Sequence, residues 1–147
     1  MSLDNLIRTG QLKRHTTDAK EVAKLLTAAR RNVADAKAQN ISVENRFDAA
    51  YKCIMQSALA ALLASGFRPD TKVPGHHQTV VQSLPKTVGL AGERVAVLDA
   101  LRHKRNLADY TGASVDSSSL ATCVTEAEKL LDEVGKWLGK NHPELLQ

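Results

Sequence analysis

Apolar side chains recur every three or four residues along four long stretches of this sequence, within residues 22–36, 47–62, 94–108 and 120–138. That spacing matches the turn of an α-helix, so each stretch predicts a helix that turns one face towards a core. A chain of 147 residues is long enough to form one domain around such a core. The sequence therefore predicts an all-α protein, an up-and-down bundle of four long helices with shorter helices between them, in a single domain over residues 1–147.

The composition supports helices over sheets. Hydrophobic residues make up 43% of the chain but aromatic residues only 3%, so the core must be aliphatic and rich in alanine. Strands prefer β-branched and aromatic residues, whereas alanine and leucine are strong helix formers. We therefore expect no strand longer than a few residues.

Residues that cap helices stand at the ends of the apolar stretches. Asp18, followed three residues later by Glu21, predicts the start of the first long helix, which should run to about Asn40. Ser42 predicts the start of the next helix, and Gly66 its end.

Shorter elements and the chain end are predicted from the remaining glycines and prolines. A short helix should open the chain over residues 3–10, and residues 66–92 leave room for one more over 76–84. A long helix is expected from Glu93 to Gly112, with the core stripe Val97, Leu98 and Leu101. After the last long helix, the sequence predicts a break at Gly139 and a frayed tail over residues 139–147.

Several kinds of chemistry are not indicated by the sequence. There is no glycine-rich phosphate loop, dinucleotide fingerprint or serine elbow. The five histidines contain no pair four residues apart on one helix, so we expect no metal site and no cofactor. Cys53 and Cys123 lack CxxC spacing and lie on apolar helix faces, which predicts reduced core residues.

The charge and hydropathy patterns bear on location and partners. The net charge of +4 and isoelectric point near 9.2 are compatible with an RNA or nucleotide partner. No apolar run approaches the roughly 20 residues that span a bilayer, and the N-terminus lacks a signal-peptide core. We therefore expect a cytoplasmic protein without a membrane partner.

The segment RHKRNLADYTG, residues 102–112, carries the candidate functional site. On a helix, Arg105 falls at the border of the apolar stripe, where an unpaired guanidinium is costly, and Asp109 four residues later can pair with it. Arg102, Asn106 and Asp109 share a neighbouring stripe, with Tyr110 one turn beyond Asn106. These side chains offer planar donors for phosphate oxygens, an amide and a phenol.

Two interpretations of this segment remain open from the residues alone. In the first, the cluster recognises a phosphate group. In the second, Arg105 and Asp109 form an ordinary pair within the helix, and Tyr110 packs against the loop that follows.

The order of these features resembles the HEPN superfamily, a helical domain named for nucleotide binding in higher eukaryotes and prokaryotes, and in particular its small bacterial members. The resemblance covers nearly the whole chain. Its parts are LIRTGQLKRHTTDAKEVAKLLTAARRNVADA for the opening helices, SVENRFDAAYKCIMQSALAALLASGFRP for the second long helix, GHHQTVVQSL for the short middle helix, and LDALRHKRNLADY with SSSLATCVTEAEKLLDEVGKWL for the closing pair.

The resemblance implies a site and a function. The family's recurrent motif is an arginine followed by a polar residue and, a few positions later, a histidine; here Arg105 and Asn106 match the first half and Tyr110 takes the histidine position. A phenol with a reference pKa of about 10 is a poor base at pH 7, so the resemblance favours a binding module for a nucleotide, RNA or partner protein over a ribonuclease. The ligand-binding residues would then be Arg102, Arg105, Asn106, Asp109 and Tyr110.

The resemblance also implies partners and one alternative activity. Similar proteins pair as homodimers whose arginine motifs face a shared cleft, which would bring two Arg105 side chains near the symmetry axis. Many work beside a nucleotidyltransferase in toxin–antitoxin or stress-response pairs. The alternative is a metal-independent RNA endonuclease in which Arg105 and Asn106 act with Tyr110 in place of the usual histidine.

Overall fold

Four long helices carry most of the chain, as the apolar stripes predict. A computed structural model describes residues 2–147 and shows an all-α helical bundle. Cys53 and Cys123 lie on two of these four helices, and most of the RHKRNLADYTG segment lies on a third. The elements are α1 (Leu3–Arg8), β1 (Leu12–Arg14), α2 (Ala19–Ala36), α3 (Val43–Ala64), β2 (Phe67–Pro69), α4 (His76–Gln82), α5 (Leu84–Thr87), α6 (Gly92–Thr111), α7 (Ser117–Asn141) and a final 3-10 turn (Pro143–Leu146).

Helix α3 is the centre of the bundle. It packs most extensively against α2 on one side and α7 on the other, while α4 and α6 contact it over smaller areas. Its two aromatic residues, Phe47 and Tyr51, are each only 1% exposed, and small alanines along the helix let its neighbours approach closely. The aliphatic, alanine-rich core that the composition predicts is therefore confirmed.

The predicted caps start the long helices. The side chain of Asp18 accepts a hydrogen bond from the backbone N–H of Glu21 at 2.8 Å, and that of Ser42 accepts one from Asn45 at 3.1 Å. These bonds satisfy N–H groups that lack partners inside the helix. At the end of α6, Gly112 adopts φ 70°, a left-handed conformation that favours glycine and stops the helix where the sequence predicts.

A two-stranded antiparallel sheet forms where the sequence gives no strand signal. β1 and β2 pair Leu12 with Pro69 and Arg14 with Phe67. The strands are three residues long, which agrees with the expectation of no long strand. Leu12 is 2% exposed, so the sheet ties the start of the chain to the end of α3.

The prediction that the last long helix breaks at Gly139 is wrong. Helix α7 does not break at Gly139 but continues to Asn141, and a 3-10 turn follows over Pro143–Leu146. Leu145 is 9% exposed and packs into the core, so a tertiary contact holds the 3-10 turn against the bundle where the sequence predicts a frayed tail. Glycine weakens a helix by only about 1 kcal/mol, which is less than the burial of a leucine offers.

Two further predictions also need correction. Val97, assigned to the core stripe, is 37% exposed, whereas Leu98 and Leu101 are buried. The single short helix over 76–84 is two helices, because α4 ends at Gln82 and α5 begins at Leu84.

Both cysteines are buried and unpaired, as the sequence predicts. Burial raises the pKa of the Cys53 thiol to about 11 and that of Cys123 to about 12. At neutral pH both therefore stay protonated, so neither is a nucleophile.

Partly buried ion pairs join helix α6 to α7. Arg94 lies 3.3 Å from Glu126 and 2.5 Å from Glu133, and Glu126 is only 7% exposed as a residue. This contact fixes the N-terminal half of α6. The C-terminal half carries the candidate site.

Candidate functional site

Arg105 lies at the border of the core, as the apolar stripe predicts. Its side chain is 26% exposed, and its Nε is 2.9 Å from Asp109 on the next turn of α6 and 3.6 Å from Asp48 on α3. The guanidinium also stacks on the ring of Tyr51, with its carbon 5.4 Å from the ring centre. The Nε–H makes no well-aligned hydrogen bond although it is buried. Asp109 therefore neutralises Arg105 without satisfying all of its donors.

Tyr51 connects Arg105 to a histidine from another helix. The Tyr51 hydroxyl is 3.2 Å from Nδ1 of His77, the second residue of α4. Burial raises the pKa of Tyr51 to about 12, although the charges of Arg105 and Arg102 oppose the rise. Burial lowers the pKa of His77 below 6.5, and His76, Arg105 and Arg102 lower it further. Near neutral pH the site therefore combines a neutral phenol and a neutral imidazole with two guanidinium groups.

Arg102, Asn106 and Tyr110 follow one another at intervals of four residues along α6, and we call this row the α6 flank. The Arg102 side chain is 11% exposed, with Nε 2.9 Å from Asp99. Asn106 is half-buried and its amide makes no hydrogen bond within residues 2–147. Tyr110 is 86% exposed, so it does not pack against the following loop as the second interpretation expects.

A cavity of about 350 Å³ opens beside Arg105 on the side away from the α6 flank. Three of its lining groups are carboxylates, those of Glu44, Asp48 and Asp109. These would repel an anion, and Glu44 already accepts a hydrogen bond from the backbone of Val115. An anionic ligand would therefore approach the arginines from the α6 flank and not from this cavity.

All five predicted ligand residues lie on α6, where the structure separates their roles. Arg102, Asn106 and Tyr110 form the α6 flank, Arg105 lies behind it, and Asp109 holds Arg105. The sequence does not reveal Tyr51 and His77, because the pair is 26 residues apart and joins two helices. In the sequence His77 stands beside His76, and this adjacent pair lacks the four-residue spacing of a metal site on one helix.

The positive charges of Arg102 and Arg105 lead to a testable prediction about His77. Arg102→Ala or Arg105→Ala should raise the pKa of His77, because each removes a positive charge that disfavours the imidazolium. An NMR titration of the imidazole proton shifts would measure the change, with Arg31→Ala on the exposed surface of α2 as the control. Identical titration curves in all variants would show that the arginines do not act on His77.

Comparison with models of protein families and with curated proteins finds no match to this chain. Within residues 2–147, no group of three or more histidine, cysteine, aspartate or glutamate side chains is placed to hold a metal ion. None of the helices in the described part of the chain is both long and apolar enough to cross a bilayer.

Proposed function

We propose that this chain is a HEPN-like module that binds a phosphate group of a nucleotide or RNA on the α6 flank. The observation that carries the proposal is the partly buried position of Arg102 and Arg105, three residues apart on α6, with side chains 11% and 26% exposed. Arg105 lies over the ring of Tyr51, whose hydroxyl is 3.2 Å from His77. Guanidinium groups at such a surface bind phosphate oxygens through paired, charge-assisted hydrogen bonds.

Each residue of the α6 flank, together with Arg105 behind it, has a distinct part in the proposed binding. Arg102 and Arg105 supply positive charge, and the free amide of Asn106 supplies a donor between them and Tyr110. The exposed ring of Tyr110 offers a face on which one base can stack, a contact typical of single-stranded RNA binding. One exposed aromatic ring suits a short segment better than a long strand.

The carboxylates near the arginines act as internal competitors for the ligand. Asp109 and Asp99 each lie 2.9 Å from the Nε of an arginine, so phosphate binding must weaken these pairs. Because Asp109 is 46% exposed, its pair with Arg105 is screened by solvent and is the easier one to displace. The site is therefore nearly neutral when empty and gains its anion affinity as the pairs open.

Asp109→Asn tests this proposal directly. The substitution removes the competing charge but keeps the shape, so affinity for a phosphate ligand should rise several-fold. Fluorescence anisotropy with a short labelled single-stranded RNA measures the effect. Asp132→Asn is the matched control, because Asp132 pairs with Lys136 in the same i,i+4 way on the exposed face of α7. Unchanged or weaker binding in Asp109→Asn would contradict the proposal.

A second candidate function, RNA cleavage without a metal, is favoured by His77. The resemblance implies an imidazole at position 110, where this chain has Tyr110, but His77 of α4 offers a neutral imidazole 3.2 Å from the hydroxyl of Tyr51, the residue whose ring Arg105 covers. A neutral imidazole can take the proton of a ribose 2′-hydroxyl as that oxygen attacks the neighbouring phosphorus. The bond from phosphorus to the 5′-oxygen breaks, the 5′-oxygen takes the proton back from the imidazolium or takes one from water, and a 2′,3′-cyclic phosphate remains. Arg105 and Arg102 stabilise the negative charge on the non-bridging phosphate oxygens.

Cleavage of RNA in the presence of a chelator would distinguish this enzyme from a binding module. If the chain is such an enzyme, His77→Ala and Arg105→Ala should both abolish cleavage. Tyr110→His restores the family's motif and should raise the cleavage rate. If the module only binds, the unmodified chain leaves the RNA intact.

The resemblance to the HEPN superfamily also underlies our proposals on cell biology. We propose a cytoplasmic protein that forms a homodimer and works with a nucleotidyltransferase in a toxin–antitoxin or stress-response pair. Co-purification with a nucleotidyltransferase encoded beside the chain's gene tests that partnership.

A further inference from the structure

A cavity of about 220 Å³ opens where α3, α4 and the end of β2 meet, and we call it the α3–α4 pocket. Met55, Leu59 and Val80 give it apolar walls, and His77 belongs to the same lining. Pockets that hold drug-sized ligands measure about 300–1,000 Å³. The α3–α4 pocket is smaller, so it suits a ligand of a single ring system.

Three polar groups in the lining of the α3–α4 pocket are free to bind a ligand. The amide oxygen of Gln56 accepts a hydrogen bond from Asn32 at 2.8 Å, which leaves the NH2 group of Gln56 as a donor. Nδ1 of His77 is 3.2 Å from the Tyr51 hydroxyl, while its Nε2 has no hydrogen-bond partner within residues 2–147. The hydroxyl of exposed Thr71 is likewise unpaired in the described part of the chain. Apolar walls with a few free polar groups are typical of a specific small-molecule site.

We infer that the α3–α4 pocket holds the base of the nucleotide, or of one nucleotide in the RNA, whose phosphate binds at the α6 flank. The inference rests on the proposed phosphate site and deepens it, because it adds a second point of recognition. The chain would then select nucleotides over other phosphate compounds.

The chemistry of the α3–α4 pocket favours a base over other small ligands. The faces of a base are apolar and match the walls, and the sulfur of Met55 makes favourable contacts with aromatic rings. The rings of His76 and His77 lie 4.7 Å apart at 81°, so they can offer one edge and one face to a neighbouring ring. Ring nitrogens and carbonyl oxygens of a base can accept from Gln56. A hydrocarbon would leave the polar groups unpaired, and a sugar would place hydroxyl groups against the apolar walls.

The α3–α4 pocket adjoins the proposed phosphate site through Tyr51. The centre of the Tyr51 ring is 6.0 Å from that of His77 and 5.4 Å from the guanidinium carbon of Arg105. A nucleotide with its base beside His77 can therefore bring its phosphate to Arg105 and Arg102. Tyr110 lies two turns of α6 beyond Arg102, so in an RNA it would stack on the base of a different nucleotide.

Calorimetric titration with ribose 5-phosphate and with the four ribonucleoside 5′-monophosphates tests the inference. Ribose 5-phosphate offers the phosphate without a base. At least one nucleotide should bind more tightly by roughly tenfold or more, the scale of contacts with one base. Measurable but equal affinities for all five ligands would overturn the inference and leave the phosphate site in place.

Two variants locate the base. Thr71→Trp narrows the mouth of the α3–α4 pocket at an exposed residue, and Gln56→Glu replaces the free donor with an acceptor but keeps the bond from Asn32. Each should lower the affinity for the preferred nucleotide to that for ribose 5-phosphate. Thr16→Trp, at an exposed threonine in the loop before α2, is the matched control. If the preference survives both variants, or disappears in Tyr110→Ala instead, the base does not bind in the pocket.

The free nucleoside, which lacks the phosphate, separates this inference from the proposed function. If ribose 5-phosphate does not bind, the phosphate site is contradicted and the nucleoside decides on the α3–α4 pocket. Binding to the unmodified chain that is lost in Thr71→Trp would support the pocket, and the absence of binding would overturn it.

Discussion

Arg105→Ala is expected to weaken binding of a nucleotide or short RNA by about 1.5–3 kcal/mol, the usual scale for hydrogen bonds to a charged group. That corresponds to a loss of roughly 10- to 150-fold in affinity. The effect is large because Arg105 is already ordered by its contact with Tyr51 and is only 26% exposed. Little conformational entropy is then lost when a ligand binds it. Anisotropy with labelled RNA measures the loss.

The substitution should leave the bundle folded. The pair with Asp109 is only partly buried, with the Asp109 side chain 46% exposed, so its removal costs little stability. Arg31→Ala, at an exposed arginine of α2, is the control for a general loss of positive charge. If Arg105→Ala instead lowers the melting temperature sharply and the unmodified chain binds neither nucleotides nor RNA, Arg105 is a structural residue only.

Phe47→Ala is expected to destabilise the protein by about 3–5 kcal/mol, the range for truncating a buried aromatic residue. Phe47 is 1% exposed at the first turns of α3, the helix that contacts every other long helix. In an alanine-rich core the neighbouring side chains are too short to fill the space that the ring leaves. Denaturant unfolding followed by circular dichroism measures the free energy of unfolding.

Ile41→Ala serves as the matched control for Phe47→Ala, because it truncates a large apolar side chain that is 39% exposed. Surface substitutions of this kind usually change stability by about 0.5 kcal/mol or less. Equal effects of the two substitutions would contradict the assignment of α3 as the centre of the core.

The helices could be predicted from the sequence because their signals are local. The caps Asp18 and Ser42 and the left-handed Gly112 each act within one turn, so the residue type alone indicates the helix end. The tail differs because its structure depends on a distant contact. Gly139 weakens α7 locally, but Leu145 packs into the core beyond it, and no local pattern shows that.

The candidate site also combines contacts that are local in the sequence with contacts that are not. The pair of Arg105 with Asp109 lies within one helix and follows from the spacing of four residues. The contacts of Arg105 with Asp48 and Tyr51 join two helices that are far apart in sequence. His77 reaches the site only because α4 packs between α3 and α6. A prediction made from the residues of α6 alone therefore cannot include the imidazole of His77.

The exposure of Val97 also depends on contacts between residues that are distant in the sequence. Val97 and Leu98 are adjacent and both apolar, so the periodicity alone places either of them in the core. The pairing of Arg94 with Glu126 and Glu133 fixes the rotation of α6, which buries Leu98 and leaves Val97 outside.

The arginine side-chain resonances offer the most direct test of the proposed phosphate site. In a titration of the unmodified chain with a nucleoside monophosphate, the Nε–H signals of Arg102 and Arg105 should shift in proportion to occupancy, while that of exposed Arg31 stays in place. Such a result would locate the phosphate at the α6 flank. If the signals of Arg102 and Arg105 remain unchanged at a ligand concentration that saturates binding, or if Arg31 shifts as much as they do, the phosphate site is not where we place it.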